Sequence, residues 1–536
     1  MKKLALLALL ATSYTTTFAQ SNEAIQQAGD KINYFLYSIN KNYVDTINNS
    51  KLLEDGMRAM LKNLDPHSVY LTAEELKVSD EPLKGNFDGV GITFNLQEDT
   101  ILVVDVIDGG PSKKAGLLPG DRIVKVDDTL VAGVKISQRQ VMKKLRGVKG
   151  TQVKVGILRF GEQNLLDYTI TRDKIPLHSV YACYMVDTET GYIKLSRFAA
   201  TSTQEIKEGI QKLKAKGMKN LIFDLTDNGG GYLSAAIDIG DIFIKGNELM
   251  VYTEGVHSPR REYKTSYTSG VASANTFEQG KLIIMIDEGS ASASEIVSGG
   301  MQDHDRAILV GRRTFGKGLV QNTIDLPDGS AMRLTTSRYY IPSGRCIQRP
   351  YNKGVEEYRE DIYDRIKSGE LFHLDSVKLD KSKVFYTKNK REVYAGGGVM
   401  PDVYVTLDTV ENVKFLKDVI RKGLYNKFIN RFLDKNRTSL QTQYPTFQDY
   451  KDKFTITDAM MKDFMALAEK EKIEKPNKAD AKIADKWIKI QLKANIANNV
   501  WTESELYEII NEQNEVYKKA VEIIKSNEFQ KRNINE

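Results

Sequence analysis

"KLIIMIDEGSASASEIVSGGMQ", residues 281–302, decides how the chain is read. "LIIMID" is a short, continuous apolar run, the pattern of a strand covered on both faces. "SASEIVSGGMQ" reads as a helix. Small residues and hydroxyls crowd the junction. A buried strand that turns into a helix offers unpaired backbone N–H groups and a positive dipole end at the turn. A serine held there can be exposed while its neighbours' amides face a developing oxyanion. Ser290, Ser292 and Ser294 can equally serve as helix caps, as serines often do.

The alternation continues on either side. "GYIKLSRF" reads as a strand, "TQEIKEGIQKLKAKG" as a helix stopped by glycine, and "NLIFDL" as a buried strand. "GGGYLSAAIDIGDIFI" opens a helix after glycines, and "AILVG" is a further strand. This pattern predicts a sheet with helices packed on it. Upstream, from about residue 84, "GVGITFNL", "TILVVDVI" and "TQVKVGILRF" are strands around the helical "SQRQVMKKLRGV", together the size of a small independent domain. Residues 22 to about 64 have helical spacing, with Ile25, Ile32, Phe35, Leu36 and Ile39 on one face, and "DPHSVYL" ends the second stretch. The charged, irregular tract at about 346–392 reads as an insertion. After residue 405 the chain is Lys/Glu-rich and helical in pattern, the signature of a solvated helical domain.

The chain has 536 residues, 41% hydrophobic and 28% charged, so several ordinary soluble domains are expected. A net charge of +6 is small for this length, and no aromatic-interleaved basic stripe points to nucleic acid. "MKKLALLALLATSYTTTFAQ" reads as a secretory signal: Lys2 and Lys3, an apolar stretch from Leu4 to Ala11, and a cleavage site at Thr17-Phe18-Ala19. The apolar run is too short to span a bilayer, and no later stretch is long enough. No cysteine follows the cleavage site, which argues against lipid attachment. The expected mature protein is exported, with the periplasm as its compartment. Cys183 and Cys346 are too few for a disulfide framework or a cysteine metal site, and the sequence leaves their pairing open. HExxH, the commonest zinc-hydrolase signature, is absent.

A serine needs a base. His304 lies twelve residues beyond Ser292, roughly 18 Å along a helix and out of reach. The GxSxG elbow is absent. Lys317, between glycines in "RTFGKGLVQ", follows an apolar strand, where partial desolvation would lower its pKa and fit it as a base. A surface lysine is the plain alternative. "GRRTFGKG" also departs by one residue from a P-loop, but Gly318 replaces the Ser or Thr that holds magnesium, and the following "LVQNTIDL" reads as a strand. In "FDLTDNGGGYLSAA" three glycines between strand and helix let backbone approach a ligand and could cradle an oxyanion or a phosphate.

Taken together, "GSASASEI", "TFGKGLVQ" and "DLTDNGGG" resemble, in order, the three peptidase motifs of the carboxyl-terminal processing peptidases, the tail-specific serine proteases. "GVGITF", "AGLLPGDRIVKVD" and "LRGVKGTQVKVGILR" resemble that family's PDZ domain. "YYIPSGRCIQ" and "GGGVMPDVYV" resemble its later motifs. The match covers about residues 60–405. The resemblance implies a Ser–Lys dyad without metal or cofactor: Ser292 as nucleophile, Lys317 as general base, Gln321 positioning Lys317, and the N–H groups of Gly231 and Ala293 as the oxyanion hole. Glu295 is expected to support the site's hydrogen bonding. The family often has Arg where this chain has Thr226, and Pro or Asn near Asn228, a departure that bears on the oxyanion glycines more than on the dyad. In the PDZ-like part, an extended peptide would add to the sheet edge, with its carboxylate held by the loop Gly89, Val90, Gly91 and Ile92. Val141 and Leu145, four apart on a helix, could line the apolar pocket or belong to the small domain's core.

The expected architecture is an α/β multidomain chain: signal peptide 1–19, helical N-terminal region 20–83, PDZ domain 84–172, serine peptidase core 173–410 and helical C-terminal region 411–536. The expected function is an exported serine endopeptidase acting near the C-terminal tails of protein or peptide substrates with a free C-terminus. Contacts with a second copy or an adaptor through the helical terminal regions are left open. The competing reading is a PDZ-bearing peptide-binding protein with an inactive peptidase fold, and the presence of Ser292, Lys317 and Gln321 argues against it.

Overall fold

The computed structural model describes the chain except Met1, Glu98, Asp108, residues 266–275, 378–381 and 408–412, and Glu536; for residues 2–21 only the backbone is described. The expected signal segment therefore lies outside the residues whose side chains are described. The chain forms two compact units, Met1–Tyr70 and Leu71–Glu536. The first carries the helices Lys2–Asn42 and Asn49–Lys62. Ile25, Ile32 and Phe35, from the predicted apolar face, are exposed. Among the described residues no helix is long and apolar enough to cross a membrane.

The second unit is built on a six-stranded sheet, in the order Val180–Met185, Thr190–Leu195, Asn220–Asp224, Leu282–Ile286, Ile308–Gly311 and Val403–Tyr404. The first pair is antiparallel and the rest are parallel. Successive strand side chains point to opposite faces. Phe223, Ile284 and Ile286 pack with apolar residues of the helices Ser202–Ala215, Leu233–Phe243 and Ala293–Asp303. Ile222, Ile283 and Met285 pack instead with Val516, Tyr517, Ala520, Ile523 and Phe529. Both faces are covered, which is why these strands read as unbroken apolar runs.

The second cover differs from the expectation of one solvated region at 411–536. Residues 413–509 form their own core, which includes Phe428, Phe464, Ile488 and Leu492. The helices Glu515–Ile524 and Glu528–Lys531 lie on the peptidase sheet. The physical reason is that the sheet's second apolar face must also be buried.

A separate antiparallel sheet contains the strands Leu319–Asp325, Ala331–Tyr340, Leu249–Gly255 and Ser258–Lys264, in that order. The tract at 346–392, expected to be irregular, carries the helix Val355–Lys367 and a hairpin of Val384–Tyr386 with Glu392–Tyr394. Ion pairs seat its two ends, Arg345 with Asp303 at 2.9 Å and Arg391 with Asp305 at 2.6 Å, and Arg365 and Arg313 both pair with Glu370 at its middle.

The small domain is an antiparallel sheet with the path Ile92–Gln97, Thr100–Val106, Arg122–Val126, Gln152–Leu158 and Leu166–Thr171. The helix Gln138–Leu145 starts at a capping box made by Ser137 and Gln140. The chain enters through Asn86–Gly89 and leaves through Asp173–Pro176, and these two strands pair as a stem. Among the described residues Ile92–Gln97 is an edge strand, paired on one side only.

Candidate active site

The site lies at the carboxyl ends of the parallel strands, where crevices of such sheets bind ligands. The strand Asn220–Asp224 runs into the loop 225–231, and Leu282–Ile286 runs into the turn 287–292. Ser292 is the N-cap of the helix Ala293–Asp303, with φ +56° and ψ −112°. That backbone is strained for a residue with a Cβ and persists only where the surroundings enforce it. From Ser290 to Gly300 every residue is buried except Ser292.

The other hydroxyls explain what enforces the turn. Ser290 Oγ donates to the Leu225 carbonyl at 2.7 Å, and Ser294 Oγ donates to the Asn228 carbonyl at 2.7 Å. Asp287 Oδ1 accepts from the N–H groups of Asp227 (2.8 Å), Gly289 (3.0 Å) and Ser290 (3.1 Å). Burial pushes the Asp287 carboxyl up to about 6, with Glu288 adding to the effect. Two serines and one aspartate therefore fasten the serine turn to the glycine loop and leave Ser292 accessible.

Glu295 joins the serine turn to the lysine loop. Its Oε2 accepts from Ser292 N–H at 2.8 Å and from Lys317 N–H at 2.9 Å. Its Oε1 accepts from Thr314 Oγ1 at 2.5 Å and Gly316 N–H at 2.7 Å. The carboxyl is fully buried, and desolvation raises its pKa to about 7 against these hydrogen bonds. On the other side of the same two residues, the buried Tyr339 hydroxyl reaches the carbonyl of Ser292 at 3.1 Å and that of Lys317. One carboxylate holds both N–H groups, and one phenol contacts both carbonyls.

Gly230 packs directly against the serine turn. A Cβ there would sit 2.8 Å from Ser292 Cβ and 2.9 Å from Ala293 N, and its φ of +96° favours glycine. Gly231 bridges to Phe198 through its neighbours: the Gly230 carbonyl accepts from Phe198 N–H and Tyr232 N–H donates to the Phe198 carbonyl, both at 2.9 Å. Gly230 N–H goes to Asn228 Oδ1 at 2.9 Å. Among the described residues no protein group accepts from the N–H groups of Gly231 and Ala293.

Lys317 is half-buried between two buried glycines. Gln321 Nε2 donates to Thr335 Oγ1 at 3.2 Å across the Leu319–Asp325 and Ala331–Tyr340 pairing. His304 ends the serine helix, with Nε2 2.7 Å from the Leu249 carbonyl, at the opposite end from Ser292. Cys183 and Cys346 are free thiols.

Lys194, which the sequence reading passed over, lies beneath the glycine loop. Its Nζ donates to Thr226 O at 3.0 Å and Thr226 Oγ1 at 3.1 Å, and stands 3.3 Å from Asp224 Oδ2. Thr226 also donates to Asp224 Oδ1 through N–H and Oγ1. The signal was a lone lysine inside the apolar strand "GYIKL". A buried cation thus reaches the loop from a neighbouring strand, at the position where the resembling family often has Arg.

In the small domain the carbonyls of the loop at Val90 and Gly91 are tied inward, to Ser112 N–H and Ile107 N–H. Among the described residues no protein group accepts from the N–H groups of Val90 and Gly91. Gly91 has φ +74°. Val141 and Leu145 are buried and pack in the small domain's core with Val90.

Fold and site together are those of a serine peptidase carrying a PDZ domain. Peptidase family S41 matches residues 189–358, a PDZ domain matches residues 89–170, and a family of unknown function matches residues 415–502. The chain is 36% identical to a carboxy-terminal-processing protease of Bartonella bacilliformis over 347 residues, 64% of this chain and 77% of that protein. It is 29% identical to the carboxy-terminal processing protease CtpA of Bacillus subtilis, over 77% of this chain and 81% of that protein. Among solved structures, a photosystem II D1 C-terminal processing protease is 25% identical, covering 69% of this chain and 86% of that one with a TM-score of 0.34. The chain belongs to the carboxy-terminal processing proteases of peptidase family S41, and it is a serine-type endopeptidase.

Proposed function

We propose that this peptidase is exported to the periplasm and cuts protein substrates near their free C-terminal tails, with Ser292 and Lys317 as its dyad. The observation that carries the assignment is the accessible Ser292 on a strained turn, its N–H and that of Lys317 sharing one carboxylate oxygen of Glu295. In this mechanism neutral Lys317 Nζ takes the proton of Ser292 Oγ as Oγ attacks the scissile carbonyl. The new oxyanion accepts hydrogen bonds from Gly231 N–H and Ala293 N–H. The C–N bond then breaks, Lys317 gives its proton to the leaving amine, and an acyl-enzyme remains. Lys317 next takes a proton from water, whose oxygen attacks the ester; the acyl–Oγ bond breaks, Lys317 returns the proton to Ser292 Oγ, and the carboxylic acid product leaves. Gln321 positions the lysine. The loop Gly89–Ile92 holds the substrate's terminal carboxylate, and the strand Ile92–Gln97 pairs with its last residues. The exposed Ile25, Ile32 and Phe35 support contact with a second copy or an adaptor.

Digestion of casein and of a folded domain carrying a C-terminal tail tests the dyad. Ser292→Ala and Lys317→Ala each abolish cleavage with the fold intact, because the dyad acts as a unit. Lys317→Arg fails as well, since a guanidinium stays protonated. Substantial cleavage by folded Ser292→Ala overturns the assignment.

A further inference from the structure

The edge strand Ile92–Gln97 and the helix Gln138–Leu145 flank the proposed tail groove. Its two ends differ. At one end are the loop Gly89–Ile92 and the C-terminus of the helix: the Arg146 guanidinium lies over the Phe87 ring at 4.4 Å, and the position of a Cβ on Gly89 is 3.8 Å from Arg146 Cγ. At the other end are Gln97 and Gln138, and both line a cleft of about 680 Å³ shared with the helical region that begins at residue 413. The helix Leu424–Gln443 is held there by Arg122 to Asp434 at 3.1 Å and by Asn430 Nδ2 to Gln97 Oε1 at 3.4 Å.

A peptide with its carboxylate at the loop lies antiparallel to the edge strand, with its upstream residues extending toward Gln97. At about 3.3 Å per residue the six-residue strand is used up by about the last six residues of the peptide. The residues before those enter the cleft. On its helical side the cleft presents Lys422, Lys427, Arg431 and Lys470 against one carboxylate, Glu471. Glu471 reports the local field: its hydrogen bond to Lys427 (2.8 Å), with the charges of Lys427, Lys422 and Lys470, holds its carboxyl below the usual range despite partial burial.

We propose that this cleft is a second part of the tail-binding site, which takes acidic side chains upstream of the last six residues of the substrate. The helical region at 413–500 would then read substrate as well as pack against the PDZ domain. The proposal rests on the reading of the loop Gly89–Ile92 as the carboxylate site.

The test measures binding of fluorescein-labelled twelve-residue peptides to the full chain carrying Ser292→Ala, which prevents cleavage. The peptides share their last six residues and carry four glutamates, alanines or lysines before them, each with a free and an amidated C-terminus. The expected result is that the glutamate peptide binds about tenfold tighter than the alanine peptide at low salt, from a few exposed ion pairs of modest strength. The gap narrows at high salt. The exposed changes Arg431→Glu with Lys470→Glu abolish it while circular dichroism stays unchanged. Equal binding of glutamate and alanine peptides overturns the proposal, and so does a gap that survives the double reversal. Amidation is read separately: weaker binding of every amidated peptide supports the loop reading, and no effect of amidation overturns that reading, whatever the upstream charges do.

Discussion

Glu295 is surrounded by donors alone: three backbone N–H groups and the Thr314 hydroxyl. A protonated carboxyl, or an amide, puts a donor where an acceptor is required. Glu295→Gln is therefore expected to lower kcat by about 100-fold, in keeping with the loss of charge-assisted hydrogen bonds and a buried donor left unmet, with circular dichroism as the check on folding. The carboxyl's pKa also sets opposite trends for activity and stability. Below pH about 7 it takes up a proton, so cleavage falls as the pH drops through that value. Its pKa is raised from 4.5, so the native state binds the proton more tightly than the unfolded chain does. Ionisation therefore costs the fold stability as pH rises from about 4.5 to about 7, on the order of 3 kcal/mol for this group. Urea unfolding at pH 5 and pH 8, compared between the parent and Glu295→Gln, checks this: the decline is smaller in the variant. A kcat profile that is flat between pH 6 and 8 contradicts the role given to the carboxylate.

Among the elements, the segment 515–534 makes the contribution that the sequence concealed. Phe529 is fully buried in the cluster under Ile283 and Met285, with Lys281 Nζ 5.6 Å from the ring. Phe529→Ala is expected to cost about 3–5 kcal/mol, seen as a lower urea midpoint for the peptidase domain, although residue 529 is 237 positions beyond Ser292 in the chain. No loss of stability would show that the last helices only rest on the sheet. The sheet itself was legible, because strands covered on both faces are continuous apolar runs such as "LIIMI". Its cover was not, because "EVYKKAVEII" has the ordinary pattern of any amphipathic helix, and nothing in that pattern names a partner two hundred residues away. The site divides the same way. The candidate Ser292 and Lys317 stood out by motif, whereas Tyr339 and Lys194 act through carbonyls distant in sequence. The serines around Ser292 read as helix caps, but Ser290 and Ser294 instead fasten the turn to the neighbouring loop.

At the scale of the whole molecule, the PDZ domain hangs on a paired stem in which Gly89 faces Asp173 and Asn86 faces Pro176. Excising residues 90–172 and closing the stem with a Gly–Ser turn is expected to leave a folded peptidase that no longer distinguishes amidated from free-carboxylate tails. The ratio of kcat/KM for the two substrates, before and after excision, is the measurement. A ratio near one in the parent chain would mean that the domain spaces the peptidase rather than reading the tail. The two-sided sheet has a further consequence, in time rather than space. Synthesis runs from the N-terminus, so the strands at 180–311 emerge long before Val516 to Ile534, which cover their second face. Until residue 534 has been made, that face has no lid and the turn bearing Ser292 rests on an unfinished foundation. A chain truncated before Val516 is therefore expected to cut casein far more slowly than the full chain, and equal rates would show that the sheet does without this cover.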